Sequence, residues 1–215
     1  MRSLGALAKL PTVTPSEQPV GLRERKKLRT RQALADTAVT LFGERGFDGT
    51  PLDALLERVE VSRRTFFRNF RSKEDVALTA VKQLWDVYLD VLDSTEKSGP
   101  LADVFLDAML TTLERMDEDW YRRFPLTLRL IDGSPALDGH SLRHCAEIQA
   151  EITRRLGGHS GPDGLELRLL IEFFVASWRC ALDEWLPECA PGELPALLRR
   201  TCSSMSAALD LSLPA

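Results

Sequence analysis

The chain has no apolar run approaching the ~20 residues a membrane-spanning helix needs, and 28% of its 215 residues are charged. A membrane protein is therefore not expected. Cysteine is scarce: Cys145, Cys180, Cys189 and Cys202 are the four, with no CxxC pair and no zinc-finger spacing. That argues against a zinc finger and fits free thiols in a reducing cytoplasm. Cys189, in a Pro/Gly-rich connection, is the best placed of them for redox chemistry. Histidine is scarcer still, at three. His140 and His144 stand at i, i+4, a spacing that can hold a metal, but nothing nearby completes a site and a plain surface pair is expected. There is no Gly-rich phosphate loop, nucleophile elbow or paired-carboxylate motif, so no enzyme, cofactor or metal is expected. Near the N-terminus a weak apolar stretch, Leu4 to Leu10, is broken by Lys9. It is too short for a secretory signal, and a disordered arm over 1–21 is expected.

Alternating apolar and polar runs are also missing, and β-branched residues are sparse. What remains is helix almost throughout. A first helix from about Leu22 to Arg45 carries Leu34, Ala38, Leu41 and Phe42 on one face, and Gly46 ends it. Thr50-Pro51-Leu52-Asp53 announces a short second helix, with Thr50 as N-cap and Asp53 near the helix dipole. Ser62 and Ser72 cap the starts of a third and a fourth. The fourth is expected to run unbroken from about Lys73 to Thr95. Five more follow, one bent or delayed by Pro125 and one capped by Ser134-Pro135. The fold expected is all-α, with about nine helices: a three-helix head over 22–72 and a helical body over 73–215.

The net charge of −4 hides a division. Residues 21–75 hold 13 Lys and Arg against 9 Asp and Glu, whereas residues 76–215 hold 13 against 22. A basic head on an acidic body suits a DNA-reading module joined to a domain with another task. The charge concentrates in VSRRTFFRNFRSK, Val61 to Lys73, with five basic residues and no acid. Phe66 and Phe70 lie one turn apart and would anchor this helix to its own head. Arg63, Arg64, Thr65, Arg68 and Asn69 would then point outward, as in a helix-turn-helix entering a major groove.

The stretch TRQALADTAVTLFGERGFDGTPLDALLERVEVSRRTFFRNFRSKEDV, Thr30 to Val76, resembles the DNA-binding domain of the TetR family of bacterial regulators. A second stretch, LRLIDGSPALDGHSLRHCAEIQAEITRRLGG, Leu128 to Gly158, resembles the acyl-CoA-like ligand-binding version of the TetR C-terminal domain. The resemblance implies an all-helical homodimer with one DNA-binding head per subunit and a ligand cavity in the body, whose filling changes the distance between heads and releases DNA. The sequence departs from the family pattern where Glu60 replaces a usual Gly in the turn, Leu56 a small Ala, Phe67 a Tyr, and Asn69 a Tyr or His. A left-handed backbone at Glu60 would cost energy, so a differently tightened turn is expected there.

Candidate DNA contacts follow. Arg63 and Arg64, in the first turn of the third helix, are expected to read guanine edges. Thr65 is expected on a phosphate or a thymine methyl, Phe67 on thymine methyls, and Arg68 and Asn69 on a base or phosphate. Thr50 and Lys73, at helix N-termini, are expected on phosphates. Arg25, Lys26, Lys27, Arg29 and Arg31 make a basic start to the first helix, for salt-dependent attraction that ignores sequence.

In the body, Trp85, Tyr88, Met109, Trp120, Phe124 and Phe174 are the candidate wall of an apolar cavity for a hydrophobic small molecule. Arg122, Arg123 and Arg129 could serve an anionic headgroup, but solvated surface is the reading expected for each. The last two helices carry apolar residues on more than one face. Leu167, Ile171, Phe174, Trp178, Leu182 and Trp185 form one stripe, with Leu170, Phe173 and Ala181 off it. Such a surplus suggests a homodimer through these helices. The function expected is a DNA-binding transcriptional regulator, a repressor on a pseudopalindromic operator. The alternative is a helical carrier or enzyme of hydrophobic molecules with a vestigial head.

Overall fold

A computed structural model describes residues 21–157, 162–190 and 192–212. The expected N-terminal arm, apart from Gly21, lies outside these residues. The described chain is helical with no strand, in eleven segments: α1 (Leu22–Arg45), α2 (Leu52–Val59), α3 (Arg63–Asn69), α4 (Lys73–Ala77), α5 (Thr79–Ser94), α6 (Leu101–Arg115), α7 (Glu118–Asp132), α8 (Pro135–Arg155), α9 (Pro162–Trp185), α10 (Glu193–Ser203) and α11 (Met205–Ala208).

Two of these breaks were not expected. The fourth helix is divided at Leu78, where the Thr79 hydroxyl donates back to the Val76 carbonyl at 2.7 Å. The last helix is divided at Ser204, where the Ser203 and Ser204 hydroxyls both donate to the Arg200 carbonyl. In each case a side-chain hydroxyl competes for a carbonyl near the break and the helix deviates. Pro125, by contrast, sits buried inside α7 without ending it. The helix starts at Glu118, where Asp117 caps it by accepting the Trp120 N–H at 2.7 Å.

Leu34, Ala38, Leu41 and Phe42 of α1 pack with Leu55 and Leu56 of α2, and with Phe66, Phe70, Val76 and Ala77, into the head's core. In the body, α5 packs on α6 and α7, and α9 pairs with α10. Its interior is aromatic: Tyr88 stacks on Phe174 at 5.9 Å and Trp120 on Phe124 at 4.3 Å.

Head and body are pinned along two seams. α1 lies against α7 and α4 against α8. On the first seam the buried Arg123 guanidinium donates to Asp36 at 3.2 Å. The Ser134 hydroxyl donates to the Asp48 carboxylate at 3.2 Å. Arg123 is thus committed to the head and does not face a ligand.

Candidate nucleic-acid interface

α3 begins as the sequence indicates. The Ser62 hydroxyl accepts the Thr65 N–H at 3.2 Å, which closes the N-cap. Phe66 and Phe70 are both buried, with ring centroids 5.7 Å apart. Burying two phenyl rings fixes the helix's roll about its axis and contributes about 2–3 kcal/mol per ring. The opposite face carries Arg64, Phe67 and Arg68, all exposed. Neither Arg64 nor Arg68 has a side-chain partner among the described residues. Phe67 is 55% exposed and leans edge-on against Phe66. Arg29 is exposed on α1. Thr65 is half-buried, its hydroxyl 3.1 Å from that of Ser62.

The α2–α3 turn keeps its left-handed residue despite the departure from glycine. Glu60 has φ 55° and ψ 43°. Its N–H donates to the Glu57 carbonyl at 3.2 Å and that of Val61 to the Leu56 carbonyl at 3.0 Å. These paired bonds satisfy the end of α2 in a Schellman turn, so the expectation of a different turn is corrected: the bonds offset the strain of a side chain there.

The remaining expected contacts need correction. Thr50 does not cap α2. It is 1% exposed, and its hydroxyl donates back to the Gly46 carbonyl at 2.6 Å. Pro51 occupies the N-cap position, with no side-chain bond. Asn69 is 9% exposed, not outward, and its amide donates to the Thr65 carbonyl at 2.7 Å. Arg31 turns into the head. Its guanidinium lies 4.4 Å from the Phe70 ring centroid and donates to the Asn69 carbonyl at 2.5 Å. Lys73 likewise faces inward, its amine 4.0 Å from the Phe47 ring centroid and bonded to the Phe47 carbonyl. Burial pushes the Lys73 amine below its ordinary pKa, against the pull of Asp48 and Glu74. Each cation thus has an aromatic ring and a backbone carbonyl as partners inside the head.

Arg63 is the intermediate case. It is exposed, yet Nε and a terminal nitrogen donate to the two oxygens of Asp53 at 2.9 and 2.5 Å. The Arg63 hydrogen bond holds the Asp53 carboxyl below its ordinary value, and the same bond raises Arg63. The sequence reading missed Asp53 as a partner. The signal was present: an acid in the first turn of α2 and a base in the first turn of α3, ten residues apart across a tight turn.

In the body, a cavity of about 190 Å³ lies between α5, α7, α8 and α9. Of the six expected wall residues, only Trp85 and Phe124 line it. Tyr88, Met109, Trp120 and Phe174 are closed core instead. They fill space against one another, and the Trp120 indole N–H is spent on the Ala80 carbonyl at 2.9 Å. Val81, Leu84, Trp178 and Leu182 complete the apolar wall. Its charged lining is Asp132, Asp138 and Asp183 against Arg179 alone. Arg122 pairs with Asp119 and Arg129 donates to the Leu186 carbonyl, so neither serves the cavity. His144 is partly buried rather than a surface residue. Among the described residues no cluster of three metal-ligating side chains occurs, and no helix is long and apolar enough to cross a membrane.

A short capped helix with an aromatic back and two unengaged guanidinium groups in front, set at a tight turn behind a second short helix, defines a helix-turn-helix DNA-binding protein. The family model for bacterial regulatory proteins of the tetR family matches residues 34–80, and that for the MftR C-terminal domain matches residues 99–210. The HTH-type transcriptional regulator TcmR of Streptomyces glaucescens is 31% identical over 186 residues, which is 81% of this chain and 82% of TcmR. The biofilm operon icaADBC HTH-type negative transcriptional regulator IcaR of Staphylococcus epidermidis is 24% identical over 69% of this chain and 81% of IcaR. A transcriptional regulator (TerR/AcrR family) from Aquifex aeolicus VF5 superposes with a TM-score of 0.54 at 16% identity, over 83% of this chain and 99% of the other, and shares the fold. The chain belongs to the TetR family and is a DNA-binding transcriptional regulator.

Proposed function

We propose that this regulator represses transcription as a homodimer on a pseudopalindromic operator, and that an apolar ligand in the body releases it. The observation that carries the reading is the pair of unengaged guanidinium groups, Arg64 and Arg68, on the face opposite the Phe66 and Phe70 anchor. Arg64 reads base edges, with Phe67 beside it for thymine methyls, and Arg68 reaches a base or a phosphate. Arg63 and Thr65 add contacts at the start of α3, and Arg29 adds sequence-blind attraction. Residues 22–72 act as the DNA-reading unit and 73–215 as the unit that binds ligand and partner. IcaR, similar along most of its length, is a negative regulator by name, which supports repression.

The dimer rests on α9 and the helix that follows. Leu165, Leu169 and Phe173 recur every four residues on α9 and are exposed, at 63%, 46% and 42%. This stripe faces away from the chain's own core and suits a two-chain helical bundle. Ala181 is buried within the chain and is not available to a partner.

The ligand we propose differs from the acyl-CoA-like molecule implied by the C-terminal resemblance. Three carboxylates against one guanidinium favour an apolar molecule that is neutral or cationic over an anionic one. The present cavity is also smaller than the ~300 Å³ at which pockets for such ligands usually begin, so filling it pushes α8 and α9 away from α5 and α7. A gel shift on DNA upstream of the protein's own gene, with a salt titration, tests the DNA half. Steep salt dependence is expected, and its absence would favour the carrier reading. For the ligand half, tetraphenylphosphonium is expected to quench fluorescence from Trp85 and Trp178 and to weaken that DNA complex, while dodecanoate does neither. The reverse order would restore the anionic ligand.

A further inference from the structure

We propose that a second, polar cavity at the joint between head and body binds a small oxyanion, a phosphate-like or carboxylate group, and couples the end of α3 to α8. The cavity measures about 160 Å³. Arg71 and Ser72 reach it from the link after α3, Asp75 from α4 and Lys82 from α5. His140, Arg143, His144 and Glu147 face it from α8.

Of the two acids there, Asp75 is occupied and Glu147 lies toward solvent. One Asp75 oxygen is bonded to the Lys82 amine and the other accepts the Arg71 backbone N–H at 2.7 Å. Glu147 is mostly in solvent, and its nearest oxygen is 3.8 Å from His144 Nδ1, beyond hydrogen-bond reach. Lys82 apart, the donors are not occupied. The guanidinium groups of Arg71 and Arg143 have no partner among the described residues. His144 Nε2 is buried with no hydrogen bond at all. Buried polar atoms left unpaired in a folded protein ask for a partner. Two planar guanidinium forks and an unpaired imidazole nitrogen, a donor once protonated, around a void that holds only a few heavy atoms are the set for an oxyanion. The same groups repel a cation.

Occupancy would be felt by α3. Arg71 stands two residues beyond the last residue of α3, and its backbone is tied to Asp75. An anion bridging Arg71 to Arg143 therefore pulls the end of α3 toward α8. Protons should follow the anion. His144 is faced by Lys82 and Asp86 of α5, by Glu147 and the neighbouring Arg143 and His140 of α8, and by the Arg71 and Asp75 side of the cavity. Burial, with Lys82, holds its imidazole below the ordinary value. A bound anion reverses that balance and favours the imidazolium.

Sulfate is the first probe, because its charge is constant between pH 6 and 8, and acetate is the second. Both are titrated into the full chain without DNA, with chloride keeping the ionic strength fixed, while the His144 side-chain nitrogen resonances are followed by NMR. Saturable binding is expected for at least one of the two, and which one responds separates a tetrahedral oxyanion from a carboxylate. Binding should tighten by about threefold or more from pH 8 to pH 6, and the His144 pKa should rise by about one unit at saturation. Arg143→Ala, on an exposed residue, should weaken binding about tenfold with the fold intact. Resonances that move with neither anion, or equal affinity in Arg143→Ala and Arg71→Gln, would overturn the site. Because these readouts contain no DNA, they succeed or fail apart from the operator reading. The coupling has its own test: the responding anion should change operator affinity in the natural chain and not in Arg143→Ala, and an equal change in both would refute it.

Discussion

The outer face of α3 and the seam behind it use the same residue types for opposite ends. In front, Arg64 and Arg68 are held by nothing in the described chain. Behind, Arg31 lies on the Phe70 ring and Lys73 on the Phe47 ring, each also donating to a backbone carbonyl. A cation on a helix is left for a partner molecule only where no aromatic face, carbonyl or carboxylate of the chain engages it. The head is basic as a whole, but its usable charge is smaller than its composition, because some of it fastens the recognition helix in place.

The contrast breaks most sharply at the front. Replacing both Arg64 and Arg68 with alanine should lower operator affinity by about a hundredfold or more, at ~1–3 kcal/mol per lost contact, and leave Tm within a degree or two. Fluorescence anisotropy and a thermal melt check the two halves; a large fall in Tm would mean these side chains also hold the fold. At the back, Arg31→Ala should do the opposite. It removes a cation–π contact and a hydrogen bond, costing about 1–2 kcal/mol, and Tm should drop by about 2–6 °C. Its slope of affinity against salt should stay unchanged, because Arg31 is engaged by the Phe70 ring and the Asn69 carbonyl. A shallower slope would put Arg31 on the DNA after all.

Arg63 lies between the two cases, and Asp53→Asn sharpens the line. With its carboxylate partner neutralised, Arg63 joins the front. Affinity for random-sequence DNA should rise by about two- to threefold and the salt slope should steepen by up to about one ion. No change would mean that Arg63 stays docked on α2 whether or not Asp53 is charged. In that case it orients α3 and does not read sequence.

Those outcomes follow from which side chains act locally and which act at a distance, and the same distinction decides what could be read in the sequence. The end of α1 and the starts of α3, α4 and α8 were legible because short-range chemistry sets them. Gly46, Ser62, Ser72 and Ser134 act on backbone within three residues, and each does what its type and place suggest. Thr50 was misread because its hydroxyl can bond forward to a helix N–H or back to a carbonyl, and only the path of the preceding turn chooses. Arg31 and Lys73 were misread because their partners lie 38 and 26 residues away in the chain. The cavity wall was half legible. Apolar spacing shows that Tyr88 and Phe174 are buried, and they are; it does not show whether a buried ring borders packed atoms or empty space. Trp85, Trp178 and Leu182 border the space, although only the first was singled out.

One attachment made early in the chain sets how the head can travel. The bond from Arg123 to Asp36 and the one from Ser134 to Asp48 fasten α1 and its following turn to the body at two points. Two rivets alone would leave a plate free to swing about the line through them, while any slide shears both; a swing here must also loosen the seam of α4 on α8. A head that moves on the body this way tilts around that axle, with the tip of α3 tracing an arc.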